Sequence, residues 1–291
     1  RDKQILCSIG KCFFDTDRKK ACGFLEYLTE EIPWFYKNYV NSKSIISIPY
    51  IYVGSIWSRL SFKLIKFLAQ KAQAVVAISQ SQKLYLEKNG FRNVKVIYNT
   101  ASFYPHESKV QKEKTILFAG KLSKGKGADI LLGAIEGLKE KIDVKFLMAG
   151  SVNISKPKNF NKNVKFLGSL GHKELSKYYL RVSGVVMPSI YPEAFGRVAL
   201  EALAAGTPSV VTSIGALPEI VKDGQTGRVV EPTASDLEKG ITDIIKNEKR
   251  YKDNIKREYS RLKNRFYTEP IRQHINLYKN AISFLPVQNK E

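Results

Sequence analysis

From Thr115 onward the chain alternates short apolar runs with helix-forming stretches, and this alternation limits the fold more than any other feature. The runs Thr115–Ala119, Val144–Ala149, Val164–Leu167, Val185–Met187, Ser209–Thr212 and Arg228–Val230 have the length and β-branched content of strands. Between them Ala128–Leu138, Lys173–Val182 and Val198–Ala205 read as helices. Strands separated by helices require right-handed crossovers, so the sheet is expected to be parallel and covered on both faces. Ligands bind such sheets at the carboxyl ends of the strands. Upstream, Ala74–Ile78 reads as a strand, Ser79-Gln80-Ser81 starts a helix that Asn89-Gly90 ends, and Val94–Ile97 makes another strand. Residues Ala101 to Glu113, with Pro105 and several charges, read as a linker, and Glu269–Phe284 as a terminal helix.

The densest chemistry lies in residues 189–208, just after the strand that ends at Met187-Pro188. Glu193 and Glu201 stand eight positions apart around a Phe195-Gly196 turn. The Ala- and Leu-rich run that follows is helical by propensity, and Gly206 and Pro208 stop it. Glu193 therefore sits in the loop ahead of the helix and Glu201 more than one turn inside it. Phe195, Gly196, Arg197 and Val198 supply unpaired backbone N–H groups at a helix start, which attract a phosphate or a carboxylate. Two acids beside a phosphate conflict unless they hold neutral hydroxyls. A nucleotide-sugar supplies both, a diphosphate for the amides and sugar and ribose hydroxyls for the carboxylates.

In Pro188-Ser189, Glu193, Phe195-Gly196, Glu201-Ala202 and Gly206-Thr207-Pro208 this segment resembles the retaining glycosyltransferases of family 4 in the GT-B superfamily, which carry a Glu-seven-residue-Glu motif. The resemblance runs from about Ala74 to Gln273. It implies two Rossmann-like domains with parallel sheets facing a cleft. Residues 1–104 would be a partial, acceptor-side domain, 114–265 the nucleotide-sugar-binding domain, and 266–291 a helix crossing back to the first. Glu193 would hold the donor sugar near its reacting centre and Glu201 the ribose hydroxyls.

Gly120-Lys121-Leu122-Ser123-Lys124-Gly125-Lys126-Gly127 follows a strand and opens a helix. It has the Gly-four-Gly-Lys spacing of a P-loop, but Gly127 occupies the place of the hydroxyl that ligates magnesium. The same stretch resembles the glycosyltransferases' Gly-Arg-Leu…Lys-Gly element, with Lys121 where an arginine is usual. Lysine keeps the charge and loses the planar fork that grips phosphate in a bidentate way. Lys121, Lys126 and the Phe195–Val198 amides are the candidates for stabilising a departing diphosphate, Lys126 and Glu193 being the expected catalytic pair. Gly120 belongs to the same donor site. Gly150-Ser151 and the loop Gly168–Gly171, with Leu170, follow successive strands; the resemblance puts them at the nucleotide base, and ordinary turn chemistry explains their glycines equally well. Leu217-Pro218-Glu219 either belongs to a further element of the family or simply favours the start of the next helix.

A hydrophobic fraction of 43% and a charged fraction of 26% describe a globular protein, and no apolar run reaches the roughly 18 residues of a membrane span. The net charge of +21 suits an anionic lipid, a nucleic acid or a polyanionic substrate alike. No nucleic-acid-binding motif is present and the basic residues are spread rather than interleaved with aromatics, so nucleic acid is not the expected partner. An acidic membrane surface bearing a lipid-linked or glycan acceptor is, which makes the chain cytoplasmic and peripheral on the inner face. Cys7, Cys12 and Cys22 match no zinc spacing and read as reduced thiols, and neither a metal nor another cofactor is expected. His106, His172 and His274 do not resemble the first-domain histidine that many of these enzymes place near the donor sugar. That residue and the glycine-rich loop before it would lie upstream of Arg1, so the first domain is expected to be truncated. The alternative to a transferase is a non-catalytic nucleotide-sugar-binding module with a degenerate or missing acceptor domain.

Overall fold

A computed structural model describes residues 47–102, 113–151 and 163–283. The cysteines, His106 and most of the expected linker fall outside them. The chain separates into two compact units, Arg1–Val76 with Lys83–Lys95, and Ala77–Gln82 with Val96–Glu291.

The described part of the first unit is dominated by helix α1 (Ser47–Gln70). Strands β1 (Val75–Ala77) and β2 (Val94–Val96) pair, and α2 (Gln80–Lys88) connects them. Leu86, Phe91 and Val94 are buried. Gln70 at the end of α1 donates through Nε2 to the carbonyls of Asn89 (3.3 Å) and Gly90 (3.1 Å), which close α2.

The second unit is built on six parallel strands: β3 (Glu113–Ala119), β4 (Lys145–Ala149), β5 (Val164–Gly168), β6 (Val182–Met187), β7 (Ser209–Thr212) and β8 (Gly227–Val230). Their spatial order is β5-β4-β3-β6-β7-β8. The chain therefore lays β4 and β5 on one side of β3 and then returns to add β6 on the other. The β3–β6 seam is the topological switch point, where the connecting loops diverge and leave a crevice at the carboxyl ends. Ile116 lies opposite Gly184, Leu117 opposite Val185 and Phe118 opposite Val186, which fixes the two rims of that crevice against each other.

Successive strand side chains point to opposite faces. Ile116 and Phe118 join Phe146, Met148, Val186 and Val210 under helices α3 (Ala128–Leu138) and α7 (Ala234–Lys246), which contribute Leu131, Ile135, Leu237 and Ile241. Leu117, Ala119, Ala149 and Val185 face the other way, onto Tyr179 of α4 (His172–Arg181) and Ala202 of α5 (Arg197–Ala204). A third cluster joins α5 to α6 (Leu217–Ile220) and α8 (Glu248–Lys263), closed by Phe266 in the π-helical turn before α9 (Glu269–Ser283). The bounds of α3 and β7 are those read from the sequence. The α4–β6 boundary is not: α4 stops at Arg181 and β6 begins at Val182, three residues earlier than the apolar run indicated. All six β6 residues are buried, and Gly184, a helix-weak residue in isolation, admits Ile116 and Ile244 against the strand.

Candidate active site

The rim of the crevice is made by two loops, one leaving β3 and the other leaving β6. The β3 loop runs from Gly120 through a short 3₁₀ turn, Lys124–Lys126, to Gly127. It is bonded directly to the β6 loop, because Ile190 N donates to the Gly125 carbonyl at 3.1 Å. Gly127 is in the left-handed region (φ 71°), and a Cβ there would come within 1.7 Å of the Pro188 carbonyl oxygen. Only glycine lets the two loops approach this closely. Gly215 does the same for the far side of the β6 loop: a Cβ would sit 2.6 Å from Glu193 N, and Ala216 N donates to the Glu193 carbonyl at 3.1 Å. Thr212 fixes the start of the loop by donating to the Ser189 carbonyl at 2.6 Å.

These contacts put Lys126 against Glu193. Lys126 Nζ donates to Glu193 Oε1 at 2.5 Å, and Ser189 Oγ donates to the same oxygen at 2.6 Å. The Tyr191 ring centroid is 5.0 Å from the ammonium. Burial alone would lower the Lys126 pKa, but Glu193 and Tyr191 together outweigh it and hold the amine above its ordinary value. The first backbone bond at the start of α5 runs from Leu200 N to the Gly196 carbonyl (3.2 Å), so the amides of Phe195, Gly196, Arg197 and Val198 precede the helical ladder. Together with Gly120, Lys126, Ser189 and Glu193, these four residues line one cavity of about 330 Å³.

A neighbouring cavity of about 340 Å³ shares Ala119, Gly120 and Val198 with the first and is otherwise lined by Lys121, Gly150, Ser151 and Leu170, among others. A third, of about 200 Å³, holds Glu201 and Arg197 beside His172, Ser176 and Tyr267. Every lining residue of the three belongs to the second unit. The candidate donor-binding and catalytic residues thus lie at this one end of the sheet, divided among adjoining cavities. Glu201 is clasped: Tyr179 donates to Oε2 at 3.0 Å, Arg197 donates to Oε1 at 3.3 Å, and His172 Nδ1 is 3.7 Å from Oε1.

Several partners were not read from the sequence. Tyr179 looks like an ordinary core aromatic in its helix, and the place of Ser189 in the motif does not by itself disclose its bond to Glu193. Glu219 does not serve its own helix alone. Its carboxylate accepts from Gln80 N and Ser81 N, each at 2.8 Å, and from the Tyr98 hydroxyl at 3.1 Å. It therefore caps Gln80 and Ser81, which belong with it to the second unit, from a distant part of the chain. Ser79, fully buried, donates to the Ala194 carbonyl at 2.7 Å and so holds the peptide between Ala194 and Phe195. Among the described residues no group of three or more His, Cys, Asp and Glu side chains is placed to share a metal ion, and no helix is long and apolar enough to cross a membrane.

A six-stranded parallel sheet with its cavities at the switch point defines an α/β domain of the Rossmann-like class. The chain belongs to the glycosyl transferases group 1 family, which it matches over residues 102–261, more than half of its length. It is 40% identical over 131 residues to an uncharacterised glycosyltransferase of Methanocaldococcus jannaschii, MJ1607, covering 43% of this chain and 33% of that one. A second uncharacterised glycosyltransferase of the same organism, MJ1178, is 30% identical over 226 residues, covering 71% and 61%. The chain thus spans from a third to about three fifths of the length of these relatives. Among solved structures, Anabaena Alr3699/HepE in complex with UDP and glucose superposes with a TM-score of 0.64 at 23% identity, covering 75% of this chain and 66% of that one. That likeness shows the fold, which is the GT-B type.

Proposed function

We propose that the chain moves a sugar from a nucleotide-diphosphate sugar to a hydroxyl acceptor, with retention at the anomeric carbon, as in family 4. The observation that carries this reading is the one cavity lined by Lys126, Glu193 and the residues Phe195–Val198 at the start of α5. In the transfer the bond from the anomeric carbon to the diphosphate oxygen breaks, a bond to the acceptor oxygen forms, and the acceptor proton leaves with the diphosphate. Negative charge grows on the departing diphosphate, and fixed positive groups aimed at it are the largest catalytic term. Lys126, Lys121 and the α5 amides fill that role without a metal. Glu193, held by Ser189, accepts hydrogen bonds from the donor sugar, and Glu201 accepts from the ribose. The adjoining cavity at Gly150 and Leu170 suits the base. The complex of Anabaena HepE with UDP and glucose supports a donor of this kind. The basic surplus of the chain supports a glycan or lipid-linked acceptor presented at the cytoplasmic face of an anionic membrane.

Calorimetric titration with sugar nucleotides and with ATP, each with magnesium and with EDTA, tests the donor site. Lys126→Ala is expected to weaken sugar-nucleotide binding by about tenfold or more, the worth of one charge-assisted phosphate bond, equally in both buffers. Binding confined to ATP with magnesium would instead make the β3 loop a P-loop.

A further inference from the structure

Tyr179 is 1% exposed and ranks among the largest fully buried side chains, yet its hydroxyl is not spent on the core. The ring lies among Leu117, Val182, Val185 and Ala202, where phenylalanine would fill the same space. A buried hydroxyl is costly without a partner, and the partner here is Glu201 Oε2 at 3.0 Å. The backbone behind the ring is also held, because the buried Thr207 donates to the Tyr179 carbonyl at 2.6 Å. Burial and the nearby carboxylate push the phenol pKa up, so it donates throughout the accessible pH range.

The two oxygens of Glu201 are therefore unequal. Oε2 is fixed from the interior. Among the described residues Oε1 is met by Arg197 and His172, whose side chains are 68% and 64% exposed, and the carboxylate borders the cavity of about 200 Å³. A glutamate side chain has rotamer freedom to lose when it binds a ligand, and a fixed inner oxygen removes that loss before the ligand arrives. A carboxylate oxygen accepts more than one hydrogen bond, so Oε2 retains capacity beside Tyr179.

We propose that Tyr179 is a positioning residue that clamps Glu201 for recognition of the vicinal diol of a ribonucleotide. The proposal rests on the donor reading given above. It is tested by calorimetry on the full chain with uridine, guanosine and adenosine diphosphates, followed by the 2′,3′-dideoxy form of whichever binds tightest. Wild type should prefer the ribose form by about tenfold or more, the range for hydrogen bonds to a charged group. Tyr179→Phe should lose most of that preference while its affinity for the dideoxy form stays within about twofold of wild type. Equal losses for both ligands would reduce Tyr179 to a packing residue and overturn the proposal, as would an unchanged preference. If wild type binds the nucleotides but ignores the diol, the role of Glu201 fails and the clamp with it. Absence of any nucleotide binding would overturn the donor reading itself.

Discussion

Glu193 and Lys126 satisfy each other, and this pairing has a direct energetic consequence. A diphosphate that reaches for Lys126 must approach a carboxylate whose oxygen lies 2.5 Å from the ammonium. Glu193→Gln keeps the shape and removes the repulsion, so pyrophosphate and nucleoside diphosphates should bind more tightly, by about tenfold for ~1.4 kcal/mol. Sugar transfer by the same variant should fall sharply, because the amide no longer accepts from the donor hydroxyls as a charged group does. Calorimetry beside a turnover assay separates the two effects, and weaker diphosphate binding would show that Glu193 assists the anion rather than competing with it. The pair also has a pH signature. The folded pKa of Lys126 is raised, so its contribution to stability is complete below the ordinary lysine value of 10.5 and is lost as pH climbs through the higher folded value. Urea midpoints measured on either side of pH 10.5 should show that alkaline loss in wild type and less of it in Glu193→Gln.

At the level of elements, the site depends on how closely the β3 and β6 loops meet. Gly127→Ala should destabilise the protein by about 1–3 kcal/mol from left-handed strain alone, and further because its Cβ would run into Pro188. Gly171→Ala is the control: its backbone is extended, nothing lies within 4 Å of the added carbon, and stability should stay within about 0.5 kcal/mol. Denaturant melts of both variants check this, and a neutral Gly127→Ala would mean the loops separate freely. The elements also mark what a sequence reveals. Helix α3 and strand β7 were legible because local composition and stop signals coincide with their ends. The start of β6 was not, since the lone Gly184 makes sense only against Ile116 and Ile244 across the sheet. The candidate acids and lysines were legible from spacing along the β3 loop, the β6 loop and helix α5. Tyr179 and Glu219 were not, because their partners stand 22 and up to 139 positions away and leave no local pattern.

For the molecule as a whole, the proposed attachment to an anionic surface is testable through the net charge of +21 and helix α1. The α1 sequence contains no acidic residue, includes Arg59, Lys63 and Lys66, and exposes Trp57, Leu60, Leu64 and Phe67. Cosedimentation should capture the full chain on phosphatidylglycerol vesicles and release it as salt rises, with little capture on phosphatidylcholine. Trp57→Ala should weaken capture by about tenfold if that ring enters the lipid interface. Undiminished capture would move the contact elsewhere on the basic surface.

The assignment of Ala77–Gln82 to the second unit governs how the protein could be dissected. Six residues of early sequence are threaded into a body otherwise made of residues 96–291. A gene fragment cut at the linker would discard the Ser79 hydroxyl that steadies the Ala194 peptide, and would leave the Glu219 carboxylate without the two amides it accepts from. Cutting the chain where the sequence looks loosest would thus remove part of the scaffold behind the candidate cavity, and a second unit meant to stand alone would need that short segment grafted back.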